Sequence, residues 1–133
     1  MKFKATLSSD ERLKSVKRIE YLFEQKKVLF RHPFKVYYSI SPLKDSSTWL
    51  RMKFGITVPK ALIKKAVNRN RIKRVVREAF RLQKAGFLED HYKQLYLVEL
   101  FFVYIDKGGS EDRIQESMGK LLKELGELLI NQE

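Results

Sequence analysis

Apolar positions recur along this chain with two periods, and each change of period marks an element. Across residues 16–27, Val16, Ile19, Leu22 and Phe23 fall at i, i+3, i+6 and i+7. This spacing predicts a short amphipathic helix with Ser15 as its N-cap. Pro33 ends any helix, and the period drops to two. Phe34, Val36, Tyr38 and Ile40 point one way, with Lys35, Tyr37 and Ser39 the other, so FKVYYSISP reads as a strand. After a polar turn over residues 44–48 the alternation resumes across residues 50–58. Leu50, Met52, Phe54, Ile56 and Val58 share one face there, and Arg51, Lys53, Gly55 and Thr57 share the other. If these two strands pair, Lys35, Tyr37, Ser39, Arg51 and Lys53 lie on one polar sheet face. An aromatic among cations suits a single-strand nucleic-acid platform, and a face merely turned to water fits equally well.

Pro59 starts the next element, a helix whose periodicity survives an extreme charge bias. Residues 60–84 hold ten Lys or Arg and one acid, Glu78. At about 100° per residue, Val75, Leu82, Ile72, Val76, Ala79 and Phe80 form one apolar stripe. Asn70, Lys73, Arg74, Arg77, Arg81 and Lys84 gather opposite. Arg71 borders them, while Arg69 falls inside the stripe in the first turns. Gly86 suits a C-cap, and residues 87–94 read as a connector. YLVELFFVYI is nearly continuous apolar sequence, a strand buried on both faces. Glu99 interrupts it, and a buried carboxylate there needs a partner. A turn at Lys107-Gly108-Gly109 leads to a last helix, N-capped by Ser110, with Glu111 and Asp112 in its first turn. Its packing face is Met118, Leu121, Leu122, Leu125, Leu128 and Leu129. The order α-β-β-α-β-α predicts an α+β fold, a two-layer sandwich of one sheet covered by helices.

Charge changes the picture more than composition does. The net charge is +12, divided as +6 over residues 1–50, +11 over 51–84 and −5 over 85–133. A solvated helix usually mixes signs, because like charges at i,i+4 repel. Here Lys65 and Arg69, Lys73 and Arg77, and Arg77 and Arg81 are all like-charged pairs at that spacing. A polyanion relieves such repulsion, which points to nucleic acid. With 133 residues and no cysteine, one domain over residues 1–133 is expected, with residues 1–11 as a flexible basic arm and no disulfide or thiolate metal site. No run of about 18 apolar residues and no signal core is present, so a soluble, cytoplasmic protein is expected. Catalytic chemistry is sparse. His32 and His91 are the only histidines, neither in a metal-ligand spacing, and Glu89-Asp90 and Glu111-Asp112 are mere neighbours in sequence. The pattern predicts a binder.

The segment AVNRNRIKRVVREAF resembles the signature helix of the protein subunit of bacterial ribonuclease P. The family's RNR motif matches Arg69, Asn70 and Arg71, followed by Lys73, Arg74, Arg77 and Phe80. RLKSVKRIEYLFEQKK resembles the family's first helix, FKVYYSI its aromatic-bearing strand and FGITVPK the strand leading into the helix. Lys64-Lys65 stand where the family often has Gly-Asn. The resemblance implies one mixed, mostly antiparallel sheet with a left-handed βαβ crossover. It also implies that the protein alone is non-catalytic. The RNA subunit, with bound Mg²⁺, removes the 5′ leader of precursor tRNA, and the protein binds no metal tightly. Lys65, Arg69, Asn70, Arg71, Lys73, Arg74, Arg77 and Arg81 would dock on that RNA. By alignment Ile19, Phe23, Lys35 and Tyr37 would face the single-stranded leader, with Ser39, Arg51 and Lys53 beside them on the sheet. Neither a membrane nor specific DNA is implied. A structural RNA binder of the ribosomal kind would share the helix but not need the aromatic–cationic face. A groove-reading DNA binder would want a helix, not a strand, before the basic one. An autonomous nuclease would need a constellation of carboxylates or histidines.

Overall fold

Three helices and four strands succeed one another as α1 (Val16–Gln25), β1 (Val28–Arg31), β2 (Phe34–Pro42), β3 (Arg51–Thr57), α2 (Ala66–His91), β4 (Tyr96–Tyr104) and α3 (Glu111–Ile130). The computed structural model describes residues 7, 11–44, 49–108 and 110–132. Apart from Leu7 and Glu11, the expected basic arm lies outside the described residues, as do most of the 44–48 turn and Gly109.

The sheet runs in the order β1-β2-β4-β3. β1 pairs antiparallel with β2, β2 antiparallel with β4, and β3 parallel with β4. The sheet is therefore mixed and mostly antiparallel, with α2 as the crossover of its one parallel pair. The two alternating strands do not pair with each other, because β4 inserts between them. The apolar composition of β4 explains this, since the central position is the one covered on both faces. β1 was not expected. Its four residues show no alternation, and its pairing with β2 alone defines it.

One face of the sheet packs on α2 and α3. Phe34, Val36, Phe54, Leu100, Phe102 and Tyr104 meet Ile72, Val76, Phe80, Met118, Leu121 and Leu125 there. Phe54 stacks on Phe80 with centroids 4.6 Å apart and planes 18° from parallel. The opposite face is partly covered by α1, where Leu13, Leu22 and Phe101 form a small second core with Ile19, Tyr37 and Val103 against it. Ser15 caps α1 by accepting from the Arg18 N–H, and the left-handed Lys26 (φ 56°) closes it before Lys27.

The long helix departs from expectation at both ends. It begins at Ala66, so residues 60–65 are turn and extended chain. It passes through Gly86 to His91, because Phe87 continues the buried stripe against α3. Burying such a ring contributes roughly 1.5–3 kcal/mol, more than the about 1 kcal/mol that an interior glycine costs a helix. The stripe is also rotated. Leu82 is 52% exposed, whereas Lys84, expected among the polar residues, is 2% exposed and paired with Glu11.

Candidate nucleic-acid interface

The cationic side of α2 is built in two parts. Asn70, Arg71 and Arg74 are exposed, while Lys73, Arg77 and Arg81 lie half-buried along the same helix. Lys65 is exposed at the N-cap and makes no side-chain cap, and the first turn carries no acid. The unsatisfied N–H groups and positive dipole end there add to the side-chain charge, an arrangement that favours an anion. Arg69 behaves differently from its neighbours. Its guanidinium turns back and donates to the carbonyls of Ile63 (2.9 Å) and Lys64 (2.7 Å), tying the junction to the helix. Arg81 donates to Glu78 (3.0 Å), whose carboxyl is held below its ordinary value mainly by that hydrogen bond.

Across the sheet, register assembles the second surface. Lys35 stands opposite Val103, Tyr37 opposite Phe101, and Ser39 opposite Glu99. From the other side Arg51 stands opposite Leu97 and Lys53 opposite Glu99. The five residues expected on one face therefore share it, joined through β4 rather than directly. Phe23, about 40% exposed, meets Tyr37 edge-on at 4.7 Å and Phe101 at 5.6 Å. The Lys35 ammonium lies 5.2 Å from the Tyr37 ring centre, within cation–π range. Ile19 packs against the core beneath and is only partly exposed. Further along the face, a cavity of about 390 Å³ is lined by Arg18, Lys44, Arg51, Lys53, Pro42 and Leu97 among others.

Arg18, which no local pattern marks, also belongs to this face. It donates to both oxygens of Glu99, and that hydrogen bond raises its already high pKa. The available signal was the buried carboxylate itself, which had to find a cation.

Among the described residues, no group of three or more His, Asp or Glu side chains is arranged to hold a metal ion. His91 contacts Gln94 at 2.7 Å, and His32 lies 3.8 Å from Asp106. No described helix is long and apolar enough to cross a membrane.

A cationic helix on one side of a mixed sheet and an aromatic–cationic face on the other define a small α+β RNA-binding protein. Residues 7–126 match the family model Ribonuclease P, and the chain belongs to that family. It is 32% identical over 118 residues to the ribonuclease P protein component of Porphyromonas gingivalis, covering 87% of this chain and 83% of that one. The component from Vibrio cholerae serotype O1 is 40% identical over 77 residues, 58% of this chain and 57% of that one. Among solved structures, the RNase P protein of Thermotoga maritima superposes with a TM-score of 0.63 at 25% identity, covering 86% of this chain and 96% of that one. That of Staphylococcus aureus gives 0.61 at 26%, covering 86% and 94%. The molecule is thus a protein subunit of ribonuclease P, partner of the RNase P RNA in tRNA 5′ processing.

Proposed function

We propose that the two surfaces divide the work of the holoenzyme. The exposed side of α2, through Lys65, Asn70, Arg71, Lys73, Arg74, Arg77 and Arg81, docks on phosphates of the RNA subunit. Arg69 shapes the helix start and adds its charge there. The opposite face holds the single-stranded 5′ leader of precursor tRNA. Phe23 and Tyr37 stack on its bases, Lys35, Arg51 and Lys53 track its phosphates, and Ser39 supplies a hydroxyl. Ile19, partly exposed above the small core, offers the leader an aliphatic contact beside them. Hydrolysis belongs to the RNA subunit and its Mg²⁺ ions, in the cytoplasm, and residues 1–133 act as one domain.

One observation carries this reading. The half-exposed Phe23–Tyr37 pair, with Lys35 beside it, lies on the sheet face turned away from the basic helix. A protein that only glued RNA together would need the helix but not a separate stacking platform.

The test is reconstitution. RNA-free protein should leave precursor tRNA intact at every Mg²⁺ concentration, and addition of the RNA subunit should bring cleavage at the mature 5′ end. The holoenzyme should also bind precursor more tightly than mature tRNA. Cleavage by the protein alone, or equal affinity for the two tRNAs, would remove the division of labour.

A further inference from the structure

A pocket of arginines lies where the N-terminal segment meets α2. The Leu13 N–H donates to the Phe54 carbonyl at 2.8 Å, and Arg12 bridges Phe54 in parallel register, so this segment extends the free edge of β3. Two anchors hold it: Leu13 in the small core with Leu22 and Phe101, and Glu11 on the buried Lys84. Arg12 is thereby kept beside Arg77. The two line a cavity of about 180 Å³ next to Gly55. With Arg74 and Arg81 they line a second of about 240 Å³.

Among the described residues, Glu78 is the acid on that second lining, and Arg81 engages it. Four arginines and one glutamate, among the described residues, line this small cavity. Among the described residues Arg12, Arg74 and Arg77 have no ion-pair partner. Such mutual repulsion costs the folded protein free energy that a bound anion returns.

We propose that Arg12, Arg74 and Arg77 form one phosphate-binding basin for the backbone of the RNase P RNA, with the N-terminal segment as its second wall. This rests on the docking role given to α2. A helix alone offers phosphate a convex ridge. A second element makes the site concave, so guanidinium forks approach one phosphate from two sides. Glu11, Lys84 and Leu13 act as positioning residues, since they fix where Arg12 stands.

The experiment measures binding of the RNA subunit across a salt series for Arg12→Ala, Arg12→Lys, Arg74→Ala, Arg77→Ala and the Arg12→Ala/Arg77→Ala double variant. Lys123→Ala on α3 serves as control. Arg12 is exposed, so its variants should melt like the wild type. Arg12→Ala should weaken binding about ten-fold, the scale of a charge-assisted hydrogen bond. It should also flatten the log K against log salt slope by about 0.7–0.9. Arg12→Lys should restore the slope but not the full affinity, because it keeps the charge and loses the fork. The double variant should lose less than the product of the single losses, as expected of groups sharing one phosphate. Normal binding by Arg12→Ala alongside weak binding by Arg74→Ala and Arg77→Ala would overturn the basin and leave docking by α2 standing. Normal binding by all three would overturn both. Losses that simply multiply would assign Arg12 and Arg77 to separate phosphates and also reject the shared basin.

Discussion

Arg18 of α1 clasps Glu99 at the centre of β4. Its Nε donates to Oε2 at 3.1 Å and a terminal nitrogen donates to Oε1, while the Glu99 side chain is 3% exposed and that of Arg18 42%. The pair is the polar pin between helix and sheet on the face assigned to the leader. It also neutralises a carboxylate that would otherwise repel RNA phosphates.

Arg18→Ala should therefore cost more than a surface ion pair, because it strands a buried acceptor. The expected loss is about 1–3 kcal/mol, read as a lower urea midpoint with an unchanged slope. An Arg18→Met/Glu99→Leu double variant should recover most of it, since apolar replacement of both partners removes the desolvation cost. If the double variant is no more stable than Arg18→Ala, the loss comes from packing rather than from the stranded charge.

Phe23 and Tyr37 should separate precursor from mature tRNA. Stacking contributes about 1–3 kcal/mol per base, or roughly five- to 150-fold in affinity. In reconstituted holoenzyme, Phe23→Ala should weaken precursor binding within that range and leave mature tRNA almost unaffected. Its melting temperature should fall modestly as well, because the ring also touches Phe101. Tyr37→Phe keeps the ring and should bind precursor nearly normally. Equal losses for both tRNAs would move the leader to another surface.

The Glu11–Lys84 contact should show the asymmetry of a buried pair. Lys84 is 2% exposed while Glu11 remains partly accessible. Glu11→Ala takes a carboxylate from a desolvated ammonium and should lower stability by about 1–3 kcal/mol. Glu11→Ala/Lys84→Met should be more stable than Glu11→Ala alone, because the unbranched apolar chain fills the same space without a charge. Thermal melts of the three proteins decide it, and identical curves would mean that the surroundings of Lys84 serve it as well without Glu11.

Tyr104 should give the fold an alkaline limit. Burial is the main cause that raises its phenol above the ordinary 10.0, with Asp106 adding to the effect and Arg71 and Arg113 opposing it. The hydroxyl donates to the Gly108 carbonyl. Because the folded value exceeds the unfolded one, this contribution is complete below about pH 10. It is lost as pH rises through the folded value. Tyr104→Phe should be less stable near neutrality by about 0.5–1.5 kcal/mol for the lost hydrogen bond. Its stability should fall less steeply above pH 10. Parallel slopes for the two proteins from pH 8 to 11 would exclude Tyr104 as the group responsible.

Local pattern sufficed wherever one segment carried its own periodicity. The alternation of β2 and β3, the doubly buried run of β4, the Ser15 and Ser110 caps and the bias of α2 were all legible, because each depends on residues a few positions apart. The candidate site was legible in the same measure. Lys35, Tyr37, Ser39, Arg51 and Lys53 were assigned to one face by parity alone, and any sheet that joins their strands in register keeps them together. Arg71, Arg74 and Arg77 followed from a helical repeat.

Contacts between distant segments were decided only by the tertiary structure. Nothing near Val28–Arg31 marks it as a strand; pairing with β2 does. Gly86 looked like an end to α2, yet packing of Phe87 against α3 outweighs its cost. Lys84 is buried by an acid 73 positions away, Glu99 is satisfied by an arginine 81 positions away, and Arg12 reaches Arg77 only because its segment borders β3. The sequence by itself determined the elements, their faces and the sign of the charge on them, since local sterics and burial act through near neighbours. Which cations stay in water, which are buried and which converge depends on how those faces meet, and long-range packing sets that.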